Sequence, residues 1–122
     1  DGFEVHQRRR TNQPRPLLPV LVFVHGDSYL WGSGNAYDLS MLCAISGAIG
    51  ITLNYRLGSF GFLSADGLEA PGNFALMDLR DALQWVRANI RQFGGDPDRV
   101  TLMGHGYGAA LASLLMISRF AQ

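Results

Sequence analysis

The chain has 122 residues, of which 48% are apolar and 16% charged. That is enough hydrophobic side chain for one packed domain and too few charges for a disordered segment. Ten arginines, with no lysine, balance ten acids to a net charge of zero, which excludes a strongly basic nucleic-acid binder and offers no polybasic membrane patch. Three His and one Cys are too few for a zinc cage or a disulfide framework, so no metal and no cofactor is expected.

Residues 1–16 hold Arg8, Arg9, Arg10 and Arg15 with Pro14 and Pro16, and they lack apolar periodicity. They read as a solvated lead-in loop containing His6. No aromatic residues interleave the arginines as a nucleic-acid surface would require. The start, Asp-Gly, has no initiator Met and no early apolar core of a signal peptide, so a piece of a longer chain is expected. The longest apolar block, 17–24, is interrupted by Pro19 and falls well short of the roughly 20 residues a membrane helix needs.

Residues 18–25 form the first predicted strand. Val20, Leu21, Val22, Phe23 and Val24 are continuously apolar and mostly β-branched, the pattern of a strand buried on both faces of a parallel sheet. His25 at its end is expected to hydrogen-bond locally. Gly26-Asp27-Ser28 signals a turn, and Tyr29 and Trp31 read as aromatic packing around the following loop. A short helix is predicted over 38–45, with Cys43 as a buried thiol or as the partner of a cysteine outside the chain. A second strand follows over 48–54. Residues 55–73 read as a loop, in which Arg56 suits a structural ion pair.

From Asn73, apolar residues recur at steps of three and four through Phe93, which predicts an amphipathic helix. Asn73 is the expected N-cap, with Asp78 and Asp81 near the positive end of the dipole. Gly94-Gly95 and Pro97 end it. A third strand is predicted over 99–103 and a helix over 109–118. Helices alternating with buried strands give an α/β class with a parallel sheet. Three strands are few for a complete sheet of this kind.

The informative segment is Gly104-His105-Gly106-Tyr107-Gly108, where a strand passes through a tight turn into a helix. That is the setting of the nucleophile elbow, G-x-S-x-G. Its flanking glycines let strand and helix backbones pass closely. Its central residue is here Gly106, which has no side chain to act as a nucleophile. A phosphate loop is the rival reading, but the glycine spacing departs from G-x-G-x-x-G and the Walker pattern needs a lysine. The turn His25-Gly26-Asp27-Ser28-Tyr29 stands where hydrolases of this type place backbone donors for an oxyanion. A carboxylate at Asp27 opposes that charge if it points inward.

The sequence resembles the type-B carboxylesterase and cholinesterase family over most of residues 18–121. The motifs are Val22-Phe-Val-His-Gly26, Asn54-Tyr-Arg-Leu-Gly58, Phe60-Gly-Phe-Leu63, Gly72-Asn73, Ala82-Leu-Gln-Trp-Val-Arg87, Asn89-Ile90, Phe93-Gly-Gly-Asp-Pro97 and Arg99-Val-Thr101. Together they are specific, whereas none is so alone. The resemblance implies that residues 17–122 are part of an α/β-hydrolase domain: central parallel strands, the elbow turn and the helix after it. The catalytic acid and His of the family would then lie beyond Gln122. The family's G-E-S-A-G becomes Gly104-His105-Gly106-Tyr107-Gly108, and its oxyanion donors map onto the amides of Asp27, Ser28 and Tyr107.

Loss of the serine resembles the non-catalytic adhesion branch. The run 25–35 is most similar to neuroligin-like members, with neurotactin- and gliotactin-type proteins as neighbours. That branch implies a cell-surface, single-pass membrane protein binding a neurexin-like partner and forming a homodimer, its anchor outside this segment. No nucleic acid is implied. The alternative is an active carboxylic-ester hydrolase.

Overall fold

The computed structural model describes residues 4–6, 16–65 and 72–119. Among them, β1 (Glu4–His6), β2 (Leu18–Val24), β3 (Ile49–Thr52) and β4 (Gly95–Gly104) form one sheet in the order β1-β3-β2-β4. The strand β2 runs parallel to both β3 and β4, and β1 closes one edge antiparallel to β3, with Val5 opposite Ile51. The expected α/β class and parallel sheet are therefore present.

Residues 4–6 depart from the expected lead-in loop. Three residues are too few to display an alternation in sequence, and the pairing partner on β3 makes the strand. The arginines Arg8, Arg9, Arg10 and Arg15 lie outside the described residues. The strand β4 is also longer than expected. Its pairing reaches back to Leu18 opposite Gly95, and the Leu18 N–H donates to Gly94 O at 2.9 Å. The register shifts between Leu18 and Val20, where Pro19 has no N–H to give a ladder.

Helices cover both faces. On one, Val20, Val22, Val24, Ile49, Ile51 and Leu53 pack against α3 (Phe74–Asn89) and α4 (Tyr107–Ile117) through Leu79, Val86, Leu111 and Leu115. On the other, Phe23 packs with Leu39 and Cys43, the latter on α1 (Ser40–Ser46). Alternate β2 residues thus serve opposite faces, as the strand period requires. Each fully buried aliphatic side chain contributes about 1.5–3 kcal/mol. Cys43 is a free, buried thiol; burial raises its pKa, the Gly50 amide opposes that, and Asp38 adds to it.

Two details of the predicted helix differ. Asn73 adopts a left-handed conformation (φ 57°) and its side chain caps nothing; its carbonyl accepts the Met77 N–H instead, at 3.1 Å. Nor does an acid occupy the first turn: the helix starts at Phe74, which leaves Asp78 just past that turn, where it pairs with Arg56. At the other end α3 tightens into a 3₁₀ turn over Ile90–Phe93, and Gly94 closes it at φ 84°, as its sequence predicts. Inside the expected loop 55–73 lies a five-residue helix, α2 (Gly58–Phe62). Among the described residues no helix is long and apolar enough to cross a membrane.

Candidate functional site

The ends of β2 and β4 lie side by side, Val24 opposite Gly104, and the His105 N–H donates to Val24 O at 3.1 Å. From there the chain reverses through Gly106 into α4. Gly106 has φ 56° and ψ −126°, a backbone state that strains a side chain. The two flanking glycines are enforced by close approach. A Cβ on Gly104 would stand 2.5 Å from the Ala109 backbone, and one on Gly108 would collide with the Val24 carbonyl and reach within 2.6 Å of His25 O. The turn closes with Gly108 N–H to His105 O (2.9 Å) and Ala109 N–H to Gly106 O (3.1 Å). As the first helical residue, Tyr107 has an amide with no intrahelical acceptor.

The turn after β2 packs directly on this elbow. A Cβ on Gly26 would lie 2.5 Å from the Gly108 nitrogen. A Cβ on Gly106 would in turn lie 2.8 Å from the Gly26 carbonyl oxygen. Asp27 O accepts from the Leu30 and Trp31 amides at 3.2 and 3.3 Å. Between them Ser28 and Tyr29 both take positive φ, 57° and 59°. Two rings hold Tyr29 there: it meets Tyr107 edge-on at 4.5 Å between centroids and Phe62 at 5.0 Å. Its carbonyl accepts the Gly58 N–H at 2.8 Å, which ties the turn to α2.

The elbow residues Gly104 to Gly108 and the turn residues Asp27 and Ser28 are thus adjacent. Asp27 is half-buried and Ser28 and His105 are exposed. Tyr107 is 46% exposed, and His105 faces Tyr37 at 6.2 Å. The aromatic packing expected of Tyr29 is present, but Trp31 projects outward, 63% exposed.

His25 also differs from expectation. It is 1% exposed and neither ring nitrogen has a hydrogen-bond partner among the described residues. Its ring stacks on Tyr55 at 4.9 Å. Burial lowers its pKa below the usual histidine value, against opposing effects of Asp27 and Asn54. The Asn54 oxygen is engaged elsewhere, accepting from the Gly34 N–H (2.8 Å) and the Ser33 hydroxyl (3.3 Å).

Sequence reasoning missed Tyr55 as a site residue, although it sits in the quoted Asn54-Tyr-Arg motif. Its hydroxyl donates to His25 O at 2.6 Å. Burial, with Tyr29, Asp27 and Tyr37 nearby, pushes its pKa up to about 12. The ion pair expected of Arg56 is a two-point grip on Asp78: Nε–Oδ2 is 2.8 Å, Nη2–Oδ1 is 2.7 Å, and the Arg56 amide also donates to Oδ2 at 3.0 Å. Burial opposes ionisation of Asp78, but these donors outweigh it and hold the carboxyl below the usual range. Among the described residues no three His, Cys, Asp or Glu side chains converge as a metal site.

The family model described as the carboxylesterase family matches residues 4–122. Neuroligin-2 of Mus musculus is 48% identical over 104 residues, covering 85% of this chain and 12% of that protein. Neuroligin-3 of the same species is 49% identical, with 85% and 13% covered. Pyrethroid hydrolase Ces2e of Rattus norvegicus is 44% identical over 105 residues, with 86% and 18% covered. Among solved structures, juvenile hormone esterase from Manduca sexta, with OTFP covalently attached, has a TM-score of 0.80 and 44% identity over 87% of this chain and 20% of that one. The chain therefore spans about an eighth of the neuroligins it matches.

Proposed function

The chain belongs to the carboxylesterase family, and from that premise we propose that it is part of a non-catalytic, neuroligin-like adhesion protein. The whole protein binds a cell-surface partner of the neurexin kind, pairs as a homodimer and is held by a single membrane span. One observation supports the loss of catalysis: Gly106, to which we assign the nucleophile position, takes positive φ and carries no hydroxyl, thiol or carboxylate. Acyl transfer needs a nucleophile, a base that activates it and donors for the oxyanion. A second feature points the same way. A Cβ on residue 106 would stand 2.8 Å from the Gly26 carbonyl oxygen, so the turn leaves little room for a side chain at that position.

The second reading, an active carboxylic-ester hydrolase, draws on the 44% identity to a pyrethroid hydrolase and to juvenile hormone esterase. It needs another nucleophile, and Tyr107 is the adjacent candidate. The two readings separate in the full-length protein incubated with an activated ester and with an organophosphate. The expected result is no acyl-enzyme burst and no adduct. A stoichiometric phosphonyl group within residues 104–108 would overturn the non-catalytic reading in favour of the hydrolase.

A further inference from the structure

The loop over residues 27–35 is seated on His25 rather than merely beside it. Gly32 has φ 125°, and a Cβ there would stand 2.7 Å from His25 Nδ1, so only glycine lets the loop close over the ring. On its other side the ring stacks on Tyr55 at 4.9 Å. The backbone at His25 is pinned by the Tyr55 hydroxyl on its carbonyl. The ring is 1% exposed, and both nitrogens lack partners among the described residues. The far end of the loop is tied down by Asn54 Oδ1, which takes the Gly34 N–H and the Ser33 hydroxyl, and its turn by the Gly58 N–H on Tyr29 O.

We propose that His25 is a pH-operated latch for this loop: under a neutral ring the loop stays seated, and a proton on the ring releases it. A buried imidazolium with no acceptor is unfavourable. Asn54, whose side chain acts on the ring, is an acceptor it can recruit, and a proton on the ring then competes for the oxygen that holds Gly34 and Ser33. The groups around the ring fit this role. Asp27, from the loop, is the charged side chain that acts on it. Tyr55, from the segment after β3, stays neutral, its pKa raised to about 12. Tyr29 and Tyr37 act on Tyr55, and His105 on the elbow side faces Tyr37. Because burial holds the seated ring below the ordinary 6.5, the open loop binds the proton better. Seating is therefore complete above 6.5 and is lost as the pH falls below it.

Hydrogen exchange of the 32–36 amides in the full-length protein tests this, measured at about pH 7.5 and about pH 5 and referenced at each pH to amides of α3, which removes the intrinsic pH dependence. Relative protection of the loop is expected to fall by up to about tenfold for each pH unit below 6.5 until the seated ring itself protonates. His25→Gln is expected to abolish this response. Asp27→Asn is expected to enlarge it, because that carboxylate steadies a proton on the seated ring. The latch is overturned by flat relative protection in the wild type, by an undiminished acid response in His25→Gln, or by a smaller response in Asp27→Asn. Should His25→Gln fail to fold, the Asp27→Asn comparison still decides.

Discussion

The elbow at Gly106 and the turn at Ser28–Tyr29 touch each other, yet they handle backbone strain in opposite ways. At the elbow the positive φ falls on glycine, which adopts it freely. A working elbow of this family carries its serine in that strained place. In the turn the positive φ falls on Ser28 and Tyr29, where hydrolases of this type have a Gly-rich turn whose amides are preorganised towards the substrate oxygen. Strain is thus absent at the elbow glycine and present on two side-chain-bearing residues of the turn. A site under selection for turnover keeps strain at its reacting atoms. Here it is spent on fixing the shape of a surface turn, through the rings of Tyr107 and Phe62.

The largest expected effect tests whether elbow packing is structural irrespective of chemistry. Gly108→Ala drives a methyl into the Val24 and His25 carbonyls, and neither backbone can withdraw without parting α4 from the sheet. A loss on the order of 4 kcal/mol is expected, read by chemical denaturation of the full-length protein. A loss no larger than that of a surface substitution would mean that the strand–turn–helix contact is not needed. The next effect falls on the residue where strain is absent. Gly106→Ser returns the hydroxyl, but at φ 56° and 2.8 Å from Gly26 O. It is expected to cost about 1–3 kcal/mol and to restore no organophosphate labelling. Rapid labelling of this variant would show that the turn had remained competent and that the two regions had not diverged.

Much of this arrangement was legible in the residues. The apolar runs gave β2 and β3, the helical period gave α3, and the spacing of Gly104, Gly106 and Gly108 gave the tight turn from β4 into α4, because each is a local pattern enforced by local geometry. The features that were not legible depend on distant partners. β1 is three residues made into a strand by β3. α2 lies in a segment rich in glycine and serine, held by the Gly58–Tyr29 bond and by Gly61 lying against the Arg56 carbonyl. Asn73 looks like a cap in sequence but takes the left-handed state that asparagine tolerates. The unpartnered ring of His25 could not be foreseen, since strand ends usually offer a histidine some acceptor. The positive φ of Ser28 and Tyr29 also carries no signal, because neither residue type prefers it.

The smallest expected effect separates the two strained residues of the turn. Ser28 is exposed and has no aromatic clamp, so its φ of 57° is imposed by its neighbours. Replacing it with glycine removes a left-handed penalty of roughly 1–2 kcal/mol. The gain is partly offset, because glycine makes the unfolded chain more disordered by about 0.4–1 kcal/mol. Ser28→Gly is therefore expected to stabilise the protein slightly, by about 0.5 kcal/mol. Tyr29→Gly relieves the same penalty but removes the ring packed on both Tyr107 and Phe62. Aromatic pairs of this kind contribute about 0.5–1.5 kcal/mol each beyond the area they bury, and the lost burial adds to that. Tyr29→Gly should accordingly destabilise the protein, giving the two substitutions opposite signs in matched denaturation curves. If both stabilise, the aromatic clamp does not fix the turn. If both destabilise, Ser28 holds its conformation through a contact rather than under strain, and the division of strain between elbow and turn fails at that residue.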